Sequence, residues 1–273
     1  MKSMQELMQT INSRTGNHRD LTSEEREQIK VNNYNKSDST SDYFYNTCYD
    51  CSECKNKGDI AFLNENGDFE LKRCKCNNVR KSIMRIKKSG IYHLIDKYTM
   101  NNYNTSEKWQ EGIKNKALQF IDDATGNWFF IGGQVGSGKT MICTAIVAEF
   151  LNRGKASLYM LWRDEIVTLK ASVTDADEYS NRISELKNVP VLYIDDFLKV
   201  EKGKMPTPAD INIAFELLNY RYNNPELITI ISSELTVSEI IKIDEAVGSR
   251  IYERSKNYQV NINPDINKNY RLR

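Results

Sequence analysis

Eight consecutive residues, Gly133-Gln-Val-Gly-Ser-Gly-Lys139-Thr140, fit the pattern G-x-x-x-x-G-K-[ST] at every fixed position. A backbone this rich in glycine wraps closely around a polyphosphate and turns successive N–H groups inward. The pattern follows an apolar run, Trp128–Ile131, and precedes a helical one, which is the context it requires. The helix N-terminus adds positive partial charge. Lys139 is positioned to reach the β- and γ-phosphates, and the Thr140 hydroxyl to ligate Mg²⁺. Gly133, Gly136, Ser137, Gly138, Lys139 and Thr140 are therefore the expected ATP/ADP-binding residues.

A second apolar run, Val191-Leu-Tyr-Ile, ends in Asp195-Asp196. A buried strand that ends in acids delivers carboxylates to the sheet edge where nucleotides bind. Asp195 is expected to hold Mg²⁺, directly or through water, and Asp196 to orient the attacking water. A third run, Leu227–Ile231, ends in Ser232-Ser233-Glu234. If its strand neighbours the others, Ser233 is the polar group expected near the γ-phosphate.

Five of the six cysteines crowd into residues 48–76. With no signal-peptide pattern at the N-terminus, such clustering points to metal ligation rather than disulfides. Cys51-x-x-Cys54 and Cys74-x-Cys76 are separated by residues 55–73. The first pair and the long gap match a zinc ribbon, and the second pair is one residue tighter. Asp59–Leu63 and Phe69–Lys72 read as strands around the turn dipeptide Asn66-Gly67. Such a hairpin gathers both thiol pairs around one Zn²⁺, the ion favoured by soft thiolates. Cys48 is a rival ligand, and Cys143 reads as a small buried residue in the helix after the phosphate loop. Lys72–Lys88 carries eight basic residues and no acid. That charge either offsets the thiolate centre or meets nucleic-acid phosphate or an acidic partner.

The elements that must position these groups alternate. Ser106–Asp122, Thr140–Asn152, Asp164–Ser172 and Ala209–Tyr222 read as helical. Trp128–Ile131, Ala156–Leu161, Val189–Ile194 and Leu227–Ser232 read as strands. Alternation of this kind implies βαβ units and a mainly parallel sheet covered on both faces. Upstream lie a helical pattern at Met4–Ile11, which either packs locally or docks on a partner, a polar linker, and a helix capped by Thr22 or Ser23. Val79–Lys88 reads as a helix stopped by Ser89-Gly90. Of 273 residues, 40% are hydrophobic, enough for a sizeable core, and the net charge of +1 excludes a uniformly basic nucleic-acid coat protein. Two histidines leave little room for histidine chemistry. The apolar runs are too short to span a membrane, so no membrane partner and a cytoplasmic location are expected.

In order and spacing these parts resemble the DnaC/DnaI-type replicative helicase loaders of bacteria and their phages, within the AAA+ superfamily. The resemblance runs from about Cys51 to the C-terminus. It rests on the cysteine pairs, the phosphate loop, Tyr193-Ile-Asp195-Asp196-Phe, Asn219-Tyr-Arg-Tyr222 and Gly248-Ser-Arg250-Ile. It implies an α/β fold, an AAA+ P-loop parallel sheet over residues 91–273; as a departure from the superfamily, no C-terminal lid domain is expected, because only 23 residues follow Arg250. A helical and zinc-ribbon N-terminal domain, residues 1–90, would grip a hexameric replicative DNA helicase. It also implies binding of single-stranded DNA, self-association through AAA+ domains, slow ATPase activity, and Arg250 acting as an arginine finger on a neighbour's nucleotide. Arg271 is the candidate second nucleotide-sensing arginine by position. Glu234 departs from the asparagine common in relatives. The alternatives are a transposition-type AAA+ ATPase that coats DNA, whose relatives generally lack the cysteine ribbon, and a small-molecule P-loop kinase, for which no acceptor site is marked.

Overall fold

A computed structural model describes residues 21–39, 49–88, 92–201 and 203–272. The Met4–Ile11 pattern, Cys48 and the Ser89-Gly90 stop lie outside the described residues. The chain divides into two compact units between Asn77 and Asn78.

Among the described residues, the first unit holds a helix and a hairpin around four cysteines. Helix α1 (Ser23–Lys36) starts at Thr22, whose hydroxyl accepts the Glu25 N–H while the Glu25 carboxylate accepts that of Thr22. This reciprocal cap satisfies two N–H groups that the helix cannot. Strands β1 (Asp59–Leu63) and β2 (Phe69–Arg73) pair antiparallel. Their connection closes through the Asn64 N–H on the Asp68 carbonyl, as the Asn66-Gly67 signal implied. The Asn35 side chain on α1 donates to the Ala61 carbonyl at 2.9 Å and accepts the Ala61 N–H at 3.0 Å. A side-chain amide thus completes the ladder on the open edge of β1.

The chain continues into α2 (Cys76–Lys88), α3 (Tyr92–Lys97) and α4 (Lys108–Asp122). In the second unit, β3 (Trp128–Gly133), β4 (Ser157–Leu161), β5 (Val191–Asp195), β6 (Ile228–Ser233) and β7 (Gln259–Ile262) form a parallel sheet in the order β4-β5-β6-β3-β7. Every residue of β3, β5 and β6 is buried, as expected of strands covered on both faces. Helices α5 (Lys139–Asn152), α6 (Trp162–Ala171), α7 (Ala176–Asn188), α8 (Pro208–Tyr222), α9 (Val237–Ile243) and α10 (Glu245–Ser255) make the connections. One core cluster gathers Trp128, Phe130, Leu192, Leu217 and Ile251, with Trp162 and Phe197 meeting edge to face at 4.8 Å.

Register delivers the chemistry to one edge. Gly132 is level with Ser233, Ile194 with Ile231, and Leu161 with Asp195. The phosphate loop, the acids and the serines therefore leave the sheet together at its C-terminal end, where open α/β sheets bind ligands. After β7 the described residues form two short 3₁₀ turns, Ile266–Lys268 and Tyr270–Leu272, and no helical bundle.

Candidate functional site

The phosphate loop joins β3 to α5. Gly138 caps α5 with φ of +87°, a left-handed conformation that glycine reaches without a Cβ penalty. Lys139 is buried, and its ammonium donates to the carbonyls of Gly133 at 2.8 Å and Gln134 at 2.7 Å. Burial pulls its pKa down, and the charges of Glu234, Asp196 and Asp195 oppose that shift without cancelling it.

Asp195 is the most heavily bonded acid of the site. Its carboxylate lies 3.4 Å from the Thr140 hydroxyl and accepts the Tyr159 hydroxyl at 3.1 Å and the Asp196 N–H at 3.1 Å. The Ser232 hydroxyl also donates to it. Thr140 and Asp195 thus place two hard oxygen donors from two elements side by side, the kind of donor that Mg²⁺ takes. Sequence reading missed Tyr159: nothing local marks it, and only the adjacency of β4 and β5 brings it to Asp195.

Ser233 does not take the expected position. Its hydroxyl donates to the Phe197 carbonyl at 2.8 Å and accepts the Leu235 N–H at 3.0 Å. Successive side chains of a strand point to opposite faces, so Ser232, not Ser233, faces Asp195 and accepts the Asp196 N–H at 3.3 Å. Asp196 pairs with Lys199 at 2.8 Å, and Lys199 pairs with Glu234 at 2.9 Å.

Gly136, Ser137, Gly138, Lys139, Thr140, Asp196, Lys199 and Glu234 line one cavity of about 460 Å³ together with Tyr98, Tyr103, Tyr270 and Arg271. That volume lies in the range of about 300–1,000 Å³ typical of small-molecule sites. The Tyr103 side chain is buried, and its hydroxyl has no hydrogen-bond partner among the described residues. Arg250 does not line this cavity. Its guanidinium donates to Asn219 Oδ1 at 3.0 Å and to the Ala246 carbonyl at 2.8 Å, and it lies over Phe215 at 4.8 Å. Arg221, part of the Asn219–Tyr222 motif, is wholly buried. It donates to the carbonyls of Leu186, Lys187, Val189 and Ile228 and to the Thr229 hydroxyl. It closes the C-terminus of α7, whose last carbonyls have no helical partner.

In the first unit, Cys51, Cys54, Cys74 and Cys76 are all buried, and their sulfurs lie within 4.8 Å of one another. Cys51 Sγ is 3.9 Å from Cys74 Sγ, and Cys54 Sγ is 3.5 Å from Cys76 Sγ. A tetrahedral ion with Zn–S of about 2.3 Å separates its sulfurs by about 3.8 Å, so the donor set fits zinc. The tighter C-x-C pair is accommodated because α2 starts at Cys76. Around the knuckle, the Gly58 N–H donates to Cys54 Sγ at 3.3 Å, and Lys55 and Asn56 have positive φ. Part of the basic run is engaged within the chain. Arg80 is buried, Arg85 pairs with Glu185, Arg73 with Asp59, and Lys72 lies over Phe62. Lys75 and Lys81 are exposed.

The model of the family described as IstB-like ATP binding protein matches residues 72–273. The XkdC protein of the phage-like element PBSX of Bacillus subtilis (strain 168) is 31% identical over 222 residues, 78% of this chain and 82% of that protein. The replicative helicase loader DnaC of Escherichia coli (strain K12) is 28% identical over 183 residues, 66% of this chain and 71% of that protein. The crystal structure of the DnaC helicase loader superposes with a TM-score of 0.54 at 20% identity, covering 61% of this chain and 97% of that one. That last likeness concerns the fold. No described helix is long and apolar enough to cross a membrane.

Proposed function

Since this chain belongs to the IstB-like ATP binding protein family, with an AAA+ ATPase fold, we propose that it loads a hexameric replicative DNA helicase onto single-stranded DNA. ATP occupies the cavity lined by the phosphate loop. Thr140 and Asp195 would hold Mg²⁺, which would offset the negative charge of the bound phosphates. Lys139 leaves its two loop carbonyls for phosphate oxygens, Ser232 and Tyr159 fix the Asp195 carboxylate, and Asp196 aligns the attacking water. Cys51, Cys54, Cys74 and Cys76 hold Zn²⁺ in the unit that grips the helicase. Arg250 completes a neighbouring copy's site, so ATP state and assembly are coupled.

The observation that carries this reading is the four-thiol cluster on the same chain as the AAA+ sheet. A transposition-type ATPase that coats duplex DNA is also a member of the family, but such relatives generally lack the ribbon. The test mixes the full-length protein with a purified hexameric replicative helicase and circular single-stranded DNA. The expected result is helicase retained on the circle only with Mg·ATP, and lost with Lys139→Ala. ATP-dependent filaments on duplex DNA, with no helicase bound, would replace this reading by the transposition one.

A further inference from the structure

The turn after β5 carries a lysine that the nucleotide-binding motifs do not explain. Asp196 and Leu198 have φ of +53° and +56°. Neither is glycine, and such conformations persist only where the surroundings enforce them. Here Phe197 and Leu198 are buried in the core. The Phe197 N–H donates to the Ser232 carbonyl at 2.8 Å, and the Lys199 N–H to the Asp196 carbonyl at 3.0 Å. The chain is thereby folded back so that Lys199 faces the residue three before it. Its ammonium stands between two carboxylates, Asp196 at 2.8 Å and Glu234 at 2.9 Å. All three line the cavity that contains Lys139 and Thr140.

Charge balance shows what this bridge does. Asp195, Asp196 and Glu234 all act on Lys139, and a nucleoside triphosphate brings further negative charge. Without a cation between them, Asp196 and Glu234 would repel each other and the phosphates, and would compete for Lys139. Burial works against the charge on Lys199, yet its hydrogen bonds to Asp196 and Glu234 raise its pKa. The cation therefore persists at neutral pH, where charge-assisted hydrogen bonds are the strong ones.

We propose that Lys199 is a positioning residue: held from behind by Glu234, it fixes the Asp196 carboxylate in the orientation that aligns the attacking water, and leaves Lys139 to the phosphates. This rests on the reading of the cavity as an ATP site. It also gives Glu234 a role, as the anchor of Lys199 in place of a polar group of its own at the γ-phosphate.

The test uses full-length protein and two readouts. These are calorimetric affinity for Mg·ADP, alone and with aluminium fluoride as a mimic of the in-line transfer state, and the single-turnover rate of ATP hydrolysis. Lys199→Ala is expected to weaken Mg·ADP, which lacks the γ-phosphate, by no more than about threefold, to weaken the aluminium fluoride complex at least about tenfold and to lower the hydrolysis rate at least about tenfold, the pattern of a contact that matters mainly during reaction. Lys199→Arg restores most of the rate, and Glu234→Gln loses part of it. In an Asp196→Asn background, Lys199→Ala changes affinity for the aluminium fluoride complex less than about twofold, because the two residues act as one unit. A wild-type rate for Lys199→Ala, or an equal loss with and without Asp196, overturns the inference while the ATP site stands. If the wild-type protein binds neither Mg·ADP nor Mg·ATP, the reading of the cavity falls and the inference with it.

Discussion

The Tyr270 N–H donates to the carbonyl of Gly136 at 2.9 Å, tying the last described turn of the chain to the middle of the phosphate loop. Neighbouring contacts make this a strap. The Asp265 N–H donates to Gln134 Oε1 at 2.8 Å, the Gln134 N–H donates to the Ile262 carbonyl at 3.0 Å, and the Gln110 side chain donates to the Tyr270 hydroxyl. The Trp109 and Tyr270 rings lie 6.4 Å apart. Residues 265–272 thus cover a loop that must remain open enough to admit phosphate, and Arg271 reaches the cavity as part of that cover.

Gly136 is where strap and loop meet. Its φ is +72°, and a Cβ there would stand 2.0 Å from Asn269 Oδ1. Gly136→Ala therefore meets two obstacles: a left-handed conformation that costs about 1–2 kcal/mol, and a collision with the strap. Calorimetry with Mg·ADP should show affinity reduced at least about tenfold, since a loss of 1.4 kcal/mol is a factor of ten. Adding Asn269→Ala removes the collision and not the strain, so it should recover part of the loss. Full affinity in the single variant would mean that the loop and strap rearrange freely.

Arg221 separates architecture from chemistry inside the Asn219–Tyr222 run. Its guanidinium serves four carbonyls and one hydroxyl in a fully buried place. Arg221→Met keeps much of the side-chain length and removes every donor. Leaving buried acceptors unpaired costs about 1–3 kcal/mol each before relaxation, so chemical denaturation should show at least about 3 kcal/mol lost. At temperatures where the variant is folded, its ADP affinity should match the wild type. A variant with unchanged stability and impaired nucleotide binding would reverse this assignment.

The legibility of these features follows the range of the interactions behind them. The phosphate loop, the Asn66-Gly67 turn and the apolar strands are local patterns, and the structure contains each within a residue or two. β7 is four residues long and partly exposed; its place comes from pairing with β3, which no local period reports. Helix α7 starts at an Asp175 cap, a local signal that the chain does carry. The choice between Ser232 and Ser233 turns on one residue of strand parity. The partners Tyr159 and Lys199 depend on strand order and on a turn held by the core, so their identity as site residues emerges only in three dimensions.

The four-thiol cluster predicts a metal-dependent first unit and a metal-independent second one. One Zn²⁺ per chain should be found by elemental analysis and lost in Cys51→Ser or Cys74→Ser, because a structural site needs all four ligands. The hairpin should lose amide-exchange protection in those variants, since the ion contributes directly to folding. ADP affinity in the second unit should persist. Retention of stoichiometric zinc in both variants would remove these cysteines from the ligand set.

Arg250 gives the sharpest test of assembly. In its own chain it is held by Asn219, the Ala246 carbonyl and Phe215, away from the residues that line the cavity. Arg250→Ala should therefore leave ADP affinity of the monomer within about twofold while lowering ATPase activity by roughly a hundredfold or more, the scale of a missing transition-state cation. Lys139→Ala removes the phosphate contact of the same site from the other side of the interface. Each variant keeps what the other lacks, so a mixture rebuilds some complete sites where an intact loop meets an intact Arg250. Partial return of ATPase activity on mixing is the expected outcome. A mixture as inactive as its components, with co-assembly verified by light scattering, would exclude action across the interface. A loss of monomer affinity in Arg250→Ala alone would show instead that this arginine serves its own chain's nucleotide.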